Sequence, residues 1–111
     1  MHKQGDILLV PVPFTDLSSQ KKRPVLVLSN HEYNVITDDL VVAAITSLID
    51  TKPYTVRFSD SDMLEGDMAV DSCIRADKIY TLSQTLIIKK FGRVSTEIMS
   101  NVKVKINDLL G

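Results

Sequence analysis

An arginine and an aspartate two residues apart, Arg75 and Asp77, carry the clearest chemical potential in the sequence. Ile74 and Ala76 alternate with them, so in a β-strand Arg75 and Asp77 would project together from the opposite face. Their Cβ atoms would then lie roughly 6 to 7 Å apart. A guanidinium offers paired donors to phosphate oxygens, and a carboxylate can take a proton from an attacking hydroxyl. The pair suits phosphodiester cleavage, although a surface ion pair without chemical function shows the same pattern.

Arg23 begins a second candidate region, where the polar residues 18–22 meet an apolar run. Pro24 follows it and favours an extended backbone at Arg23. With Lys21 and Lys22, Arg23 forms a cationic patch of three consecutive residues. Such a patch favours an anion site, for a polyphosphate or an RNA backbone, over an arginine that is merely solvated or paired with a nearby acid.

Thr46 and Ser47 end the apolar run 40–47, so at least one hydroxyl is expected at the end of a strand. Hydroxyls in such places often cap the backbone. The functional alternative is a hydroxyl that donates to a non-bridging phosphate oxygen. That alternative requires Arg23 and Arg75 to converge on Thr46.

Length and composition limit the classes of protein to consider. With 111 residues the chain is expected to form a single domain, residues 1–111. No apolar run reaches the roughly 18 to 20 residues needed to cross a bilayer, so no membrane association is expected. The polar residues 1–6 lead directly into an apolar strand with no signal-peptide pattern, which predicts a cytoplasmic location.

Neither a cofactor nor a metal is expected. Cys73 is the only cysteine, which excludes an intramolecular disulfide and leaves a cysteine-based zinc site without enough ligands. We expect its thiol to be buried. His2 and His31 are far apart in sequence and do not have the spacing of metal ligands.

The net charge of −1 argues against a wholly basic nucleic-acid-binding surface. The charges are unevenly distributed, however. Residues 1–23 have four basic and two acidic side chains, or +2, whereas residues 50–71 have two basic and six acidic ones, or −4. A polyanion would therefore bind near the first segment, away from the second.

Strand patterns dominate the first two thirds of the chain. A continuous aliphatic run, PVLVLS, predicts a strand that is buried on both faces, and YTVRF alternates as a half-exposed strand does. Asn30 breaks the first of these runs, and residues 29–32 could open a single helical turn. The predicted strands are residues 7–12, 24–29, 40–47 and 54–58, with a strand pair or one bent strand over 68–79.

A helix is predicted from Ser95 or Thr96 onward, because apolar residues there form one helical stripe. Alternation of Val102, Val104 and Ile106 leaves a strand as the alternative. Five to seven short strands that curl on themselves and one closing helix would bury this much valine, isoleucine and leucine. The fold class is therefore mainly β, a small barrel.

Several segments in order resemble the MazF/PemK toxin family: GDI at 5–7, RPVLVLS at 23–29, ITS at 45–47, RADKI at 75–79 and FGRV at 91–94. The resemblance covers nearly the whole chain except its acidic middle. It implies a curled SH3-like β-barrel of the CcdB/MazF type with a C-terminal α-helix, and a homodimer. It also implies metal-independent, sequence-selective cleavage of single-stranded RNA and a cognate antitoxin protein that covers the site.

The motifs assign catalytic roles to Arg23, Thr46, Arg75 and Asp77, of which the last two match the PemK branch. RNA-binding roles are expected for the residues around these motifs: Phe14, Lys21, Lys22, Ser47 and Lys78. The chain departs from the family where an aromatic residue is common, having Leu9, and where GSEQ is common, having LSSQ at 17–20. The aromatic residues left for stacking on a base are Phe14, Tyr33, Tyr80 and Phe91.

The mechanism so implied is a transesterification, in which Asp77 takes the proton of a ribose 2′-hydroxyl. Arg75 is expected to stabilise charge first and to donate a proton only second, because the pKa of arginine exceeds ~12. Two alternatives belong to other functional classes. One is a non-enzymatic, CcdB-like toxin that blocks a protein target such as a topoisomerase, and the other is an inactive binding module.

Overall fold

The computed structural model describes residues 2–11, 21–49 and 52–111. Seven strands form one antiparallel sheet in the order β4-β6-β3-β2-β1-β7-β5, and two α-helices accompany it. The strands are β1 Asp6–Pro11, β2 Lys22–Val27, β3 Asp39–Thr46, β4 Thr55–Phe58, β5 Met63–Gly66, β6 Ser72–Ser83 and β7 Lys89–Val94. The helices are α1 His31–Ile36 and α2 Thr96–Leu110, with 3-10 turns at Asp60–Asp62 and Gln84–Leu86.

The sheet curls around α2. Val56 and Phe58 of β4, at one edge of the sheet, belong to the same buried cluster as Val94 of β7, near the other edge. Ile98 and Val102 of α2 lie in that cluster as well. A second cluster occupies the opposite face of the central strands: Leu8, Val10, Val25, Val27, Leu40, Val42 and Leu82. The prediction of a mainly β, curled sheet closed by a C-terminal helix is confirmed.

Most predicted strands appear within two residues of their predicted starts. The double burial expected of β2 is confirmed, since Val25, Leu26 and Val27 are at most 1% exposed. The first predicted strand extends to residue 12, which lies outside the described residues. Strands β5 and β7 were not predicted. Both have short sequences that contain glycine and charged residues, MLEG and KKFGRV, which resemble loops when their neighbours in the sheet are unknown.

The C-terminal segment is a helix, so the alternative of a strand there is wrong. Ser95 caps the helix by accepting a hydrogen bond from the amide of Ile98 at 3.2 Å. The predicted turn after β2 is also helical, with the Asn30 side chain accepting from the amide of Tyr33 at 2.9 Å. Among the described residues, no helix combines the length and apolar character needed to cross a membrane.

Strand β6 is a single bent strand that begins at Ser72, later than the predicted start at residue 68. Its pairing with β3 is interrupted, because Ala43 lies opposite Ile79 whereas the next residue, Ala44, lies opposite Arg75. The three intervening residues, 76–78, form a bulge in β6. Bulges change the direction of side chains and often occur beside functional sites. This one includes Asp77.

Candidate active site

Three neighbouring strands bring Arg23, Thr46 and Arg75 to one end of the sheet. Val25 of β2 and Arg75 of β6 both lie opposite Ala44 of β3, on its two sides. Cross-strand partners share a face, and residues two apart on a strand also share it. Arg23, Thr46 and Arg75 therefore project from the same face. All three line one cavity of about 590 Å³.

The lining of the cavity includes both cationic and apolar residues. Lys78 joins the two arginines, so three positive side chains line the cavity. The apolar lining consists of Pro24, Val25, Ala44, Ile45, Leu48, Ile79 and the ring of Tyr80. Burial raises the pKa of the Tyr80 phenol. A compartment of this kind fits a ligand with an anionic group and a flat apolar part.

Asp77 is held by Arg75 through a two-point ion pair. The Nε of Arg75 donates to Oδ1 of Asp77 at 2.9 Å, and a terminal guanidinium nitrogen donates to Oδ2 at 2.8 Å. The side chains are 20% and 32% exposed, so the pair lies at the surface beside the cavity. The hydrogen bonds from Arg75 hold the pKa of the Asp77 carboxyl below its usual value. Asp77 lies between the lining residues Arg75 and Lys78 in the chain, though it is not itself part of the cavity lining.

The Thr46 hydroxyl does cap the backbone, accepting a hydrogen bond from the amide of Leu48 at 3.1 Å. That interaction uses one acceptor lone pair and leaves the hydroxyl hydrogen able to donate. Thr46 also lines a second, smaller cavity of about 50 Å³, together with Lys52, Thr55 and Arg75. Cys73 also lines this smaller cavity and is 2% exposed, which confirms the predicted burial of its thiol.

The structure separates the residues that were expected to bind RNA. Lys78 lines the main cavity. Lys21, Lys22 and Ser47 are exposed and lie outside its lining. Phe14 falls outside the described residues.

Of the remaining aromatic residues proposed to stack on a base, only Tyr80 lines the cavity in the described part of the chain. Phe91 packs against the core near α2, and the Lys89 ammonium lies 4.8 Å from the centre of its ring. Tyr33 belongs to α1, whose first turn it helps to cap. Within the described residues, Tyr80 is therefore the one of these aromatic residues placed to contact a ligand in the cavity.

The sequence did not indicate the apolar lining. Leu48 and Ile79 are 76% and 40% exposed, although residues of this type are usually assigned to the core. Exposed large apolar side chains beside cationic ones are typical of a binding site. Ile79 could not have been placed without the bulge, which shifts the register of β6 immediately before it.

The Gly5-Asp6 motif serves the fold. Asp6 is fully buried; its carboxylate accepts from the amide of Lys3 at 2.9 Å and lies 3.3 Å from the ammonium of Lys90. Gly5 has a φ of +94°, a conformation that favours glycine, and its amide donates to the carbonyl of Val27. This motif ties β1 to β7 and to the end of β2, away from the main cavity.

No group of three or more histidine, cysteine, aspartate or glutamate side chains within residues 2–11, 21–49 and 52–111 is arranged to hold a metal ion.

Solved structures with the same fold include toxins and their complexes. A mycobacterial endoribonuclease in complex with its cognate antitoxin aligns with a TM-score of 0.83 at 22% identity, over 100% of this chain and 96% of that one. A second mycobacterial endoribonuclease structure aligns with a TM-score of 0.78 at 25% identity, over 99% of this chain and 91% of that one. A MazE–MazF complex from Deinococcus radiodurans aligns with a TM-score of 0.81 at 22% identity, over 99% of this chain and 96% of that one. These alignments confirm the MazF-like form of the curled sheet.

Sequence comparison identifies the family directly. No curated protein sequence matches the chain. A family model does, over residues 3–110, and it describes the PemK-like, MazF-like toxins of type II toxin-antitoxin systems. Because the match spans nearly all 111 residues, this chain belongs to the PemK/MazF toxin family.

Proposed function

We propose that this toxin is an endoribonuclease that cleaves single-stranded RNA at short sequences, using Arg23, Thr46, Arg75 and Asp77. The convergence of the first three residues on one cavity carries the proposal, because a CcdB-like inhibitor of a protein target does not require it. The whole chain would act as one domain. The related mycobacterial proteins described as endoribonucleases support the same activity.

The scissile phosphate would lie between the two arginines. Strands β2 and β6 flank β3, so their backbones are roughly 10 Å apart, or two strand spacings. Arginine side chains from both strands can reach a phosphate at the centre of that gap. The Thr46 hydroxyl, on the intervening strand, would then donate to a non-bridging oxygen.

The reaction would be an attack by the neighbouring ribose 2′-hydroxyl. Asp77 takes the proton as the 2′-oxygen forms a bond to phosphorus. The bond to the 5′-oxygen breaks, and that oxygen acquires a proton from water, leaving a 2′,3′-cyclic phosphate and a 5′-hydroxyl. Arg23 and Arg75 stabilise the charge that accumulates on the phosphorane oxygens. Because these guanidiniums supply positive charge, we propose that cleavage needs no metal.

The apolar lining of the cavity would contact a nucleobase. The cavity volume of about 590 Å³ falls within the range of small-ligand pockets, ~300 to 1,000 Å³. Tyr80 offers a ring for stacking, and Leu48 and Ile79 provide further apolar contact at the opening. Lys78 would contact an adjacent phosphate, and the exposed Lys21 and Lys22 would attract the RNA backbone from farther away.

The pairing of Arg75 with Asp77 predicts how the site responds to pH. A carboxyl with a lowered pKa stabilises the folded protein above its ordinary pKa, and that stability is lost as pH falls through the lowered value. We expect the carboxyl carbon of Asp77, followed by NMR, to titrate below the ordinary aspartate value of about 3.9. Replacing Arg75 with alanine should move the titration upward. Arg57→Ala, which removes a separate exposed arginine, should leave it in place. An unchanged titration in Arg75→Ala would contradict the pairing.

We propose a cytoplasmic homodimer that is neutralised by a cognate antitoxin. Structures of related proteins in complex with their antitoxins support the second partner. The cationic residues 21–23 are exposed and would attract an acidic antitoxin segment as readily as RNA. The mass of the purified protein in solution is expected to be that of two chains. Co-purification of the toxin with its cognate antitoxin tests the second partner.

The decisive experiment uses a long RNA of known sequence, purified toxin and excess chelator, with the cleavage ends mapped. We expect cuts at a short recurring sequence, with cyclic phosphate on the upstream product. A substrate with 2′-deoxyribose at the cleaved position should resist cutting. Cleavage of that substrate at the same rate would rule out attack by the 2′-hydroxyl. An absence of cleavage on any RNA, together with growth arrest by Arg23→Ala and Asp77→Ala, would favour the non-enzymatic toxin.

A further inference from the structure

The bulge that carries Asp77 is anchored from outside β6 by the turn that precedes β4. The last pair between β4 and β6 joins Thr55 to Arg75, and the bulged residues begin immediately beyond it. At that point the amide of Ala76 donates to the backbone carbonyl of Tyr54 at 2.9 Å. Ala76 separates the two members of the ion pair and is itself completely buried. Its backbone therefore determines how Arg75 and Asp77 are presented.

Tyr54 makes this contact from an unusual backbone conformation. Its φ is +64°, and among the described residues it is the one residue other than glycine with a positive φ. This left-handed region is costly for a side chain with a Cβ atom, and most so for β-branched residues. Strained backbone that persists in a native structure tends to lie at functional sites. Here the strain lies one hydrogen bond away from the proposed catalytic pair.

Local sequence holds Tyr54 in that conformation. Pro53 has a restricted φ and occupies the position before a left-handed residue, as proline commonly does in turns of type II. The Thr55 hydroxyl donates to the carbonyl of Lys52 at 2.8 Å and so bridges the ends of the four-residue segment. Lys52 and Thr55 also line the small cavity with Thr46 and Arg75. The 52–55 turn thus borders the site that it supports.

We propose that the 52–55 turn positions the Arg75–Asp77 pair, and that Tyr54 acts as a positioning residue through its left-handed backbone and carbonyl oxygen. The importance of this role for catalysis depends on the proposed ribonuclease function, although the structural role does not. The side-chain ring of Tyr54 is not required. What is required is a residue whose backbone can keep the carbonyl directed at the Ala76 amide.

Three substitutions of Tyr54 distinguish a role of its backbone conformation from a role of its side-chain ring. Tyr54→Ala removes the ring and keeps the Cβ atom, Tyr54→Gly favours the left-handed conformation, and Tyr54→Val disfavours it strongly. Two readouts need no RNA: the hydrogen-exchange rate of the Ala76 amide, and the NMR signal of the Arg75 Nε–H that donates to Asp77. The third readout is kcat on the mapped RNA. Arg57→Val places the same side chain in the extended part of β4 as the matched control.

Tyr54→Gly and Tyr54→Ala are expected to retain slow Ala76 exchange, the Arg75 signal and kcat. Tyr54→Val should speed Ala76 exchange at least ~10-fold, weaken the Arg75 signal and lower kcat by about 10- to 100-fold, the scale of a small misplacement of catalytic groups. Arg57→Val should change none of these. Equal losses in all three Tyr54 variants would show that the ring matters and would overturn the proposal, as would wild-type behaviour of Tyr54→Val.

Should Tyr54→Val fail to fold, the glycine variant still decides the matter, because fast Ala76 exchange in folded Tyr54→Gly contradicts a backbone role. Failure of the two proposals can also be told apart. If the NMR readouts follow the expected pattern but no variant or wild type cleaves RNA, the positioning role stands and the ribonuclease function is wrong. If RNA is cleaved equally by all variants and the NMR readouts do not differ, the positioning role is wrong and the function stands.

Discussion

Replacing Asp77 with asparagine is expected to lower kcat by about 100- to 10,000-fold, the usual contribution of a general base. Asparagine has nearly the same shape, and its single amide oxygen can still accept a hydrogen bond from Arg75, but it cannot take a proton from the 2′-hydroxyl. The free energy of unfolding should change by less than about 1 kcal/mol, because the ion pair is exposed and surface pairs contribute little. Single-turnover cleavage of the mapped RNA and a denaturant titration measure the two quantities.

A second exposed pair provides the control for Asp77. A terminal guanidinium nitrogen of Arg57 lies 3.2 Å from Oδ2 of Asp71, and the two side chains are 63% and 51% exposed. Neither residue lines the main cavity. Asp71→Asn removes a carboxylate from a similar surface pair and should leave kcat unchanged. If Asp77→Asn cleaves as fast as the wild type, another group accepts the proton, and Asp77 only orients Arg75.

Loss of the Arg23 side chain is expected to reduce kcat/KM by about 100- to 1,000-fold, as removal of one donor to a developing oxyanion does. Arg23 is exposed and belongs to the cavity lining, so Arg23→Ala should remove charge from the site without opening a void in the core. Arg23→Lys should recover only part of the activity, because an ammonium cannot present two parallel donors to a phosphate. Steady-state kinetics on a short RNA containing the mapped sequence gives the comparison.

The division of the Arg23 effect between kcat and KM reports what the residue does. A lower kcat with little change in KM indicates contact made mainly in the transition state, whereas a higher KM with unchanged kcat indicates substrate binding alone. The second result would contradict the role in stabilising the phosphorane. Arg57→Ala, an exposed arginine outside the cavity, should have no effect on either constant.

Prediction from sequence worked best where a residue's neighbours along the chain determine its conformation. Ser95 was named with Thr96 as a possible helix cap, and residues 29–32 as a possible helical turn, because a cap interaction spans only three residues. The buried strands were identified because aliphatic runs of this kind have no stable place outside a core. Strands β5 and β7 escaped prediction because their charged, glycine-containing sequences become strands only through pairing with each other and, for β7, with β1.

The same distinction between local sequence and long-range contacts applies to the candidate site. Proline after Arg23, the strand end at Thr46 and the alternation around Arg75 are local features, and they indicated the chemistry that these residues could perform. The sequence could not show that β2, β3 and β6 are neighbours, and this adjacency is what brings the three side chains to one cavity. Nor could it show that Leu48 and Ile79 line the cavity, since exposed apolar residues are recognised only after the core has been accounted for. Tyr80 was one of four aromatic residues proposed to stack on a base, and the fold shows that it lines the cavity.

The alternation of apolar and charged residues at 74–77 did not predict the backbone geometry of the Arg75–Asp77 pair. It predicted that the two side chains share a face, as they do in a regular strand. In the folded protein Arg75 still pairs with β3, whereas Asp77 lies in the bulge of residues 76–78, where the Ala76 amide donates to the carbonyl of Tyr54 in the turn before β4. By itself the sequence determined which groups are available for proton transfer and phosphate binding, because those are properties of residue types. Only the tertiary structure decided that they meet, because strand register and bulges arise from contacts between segments far apart in the chain.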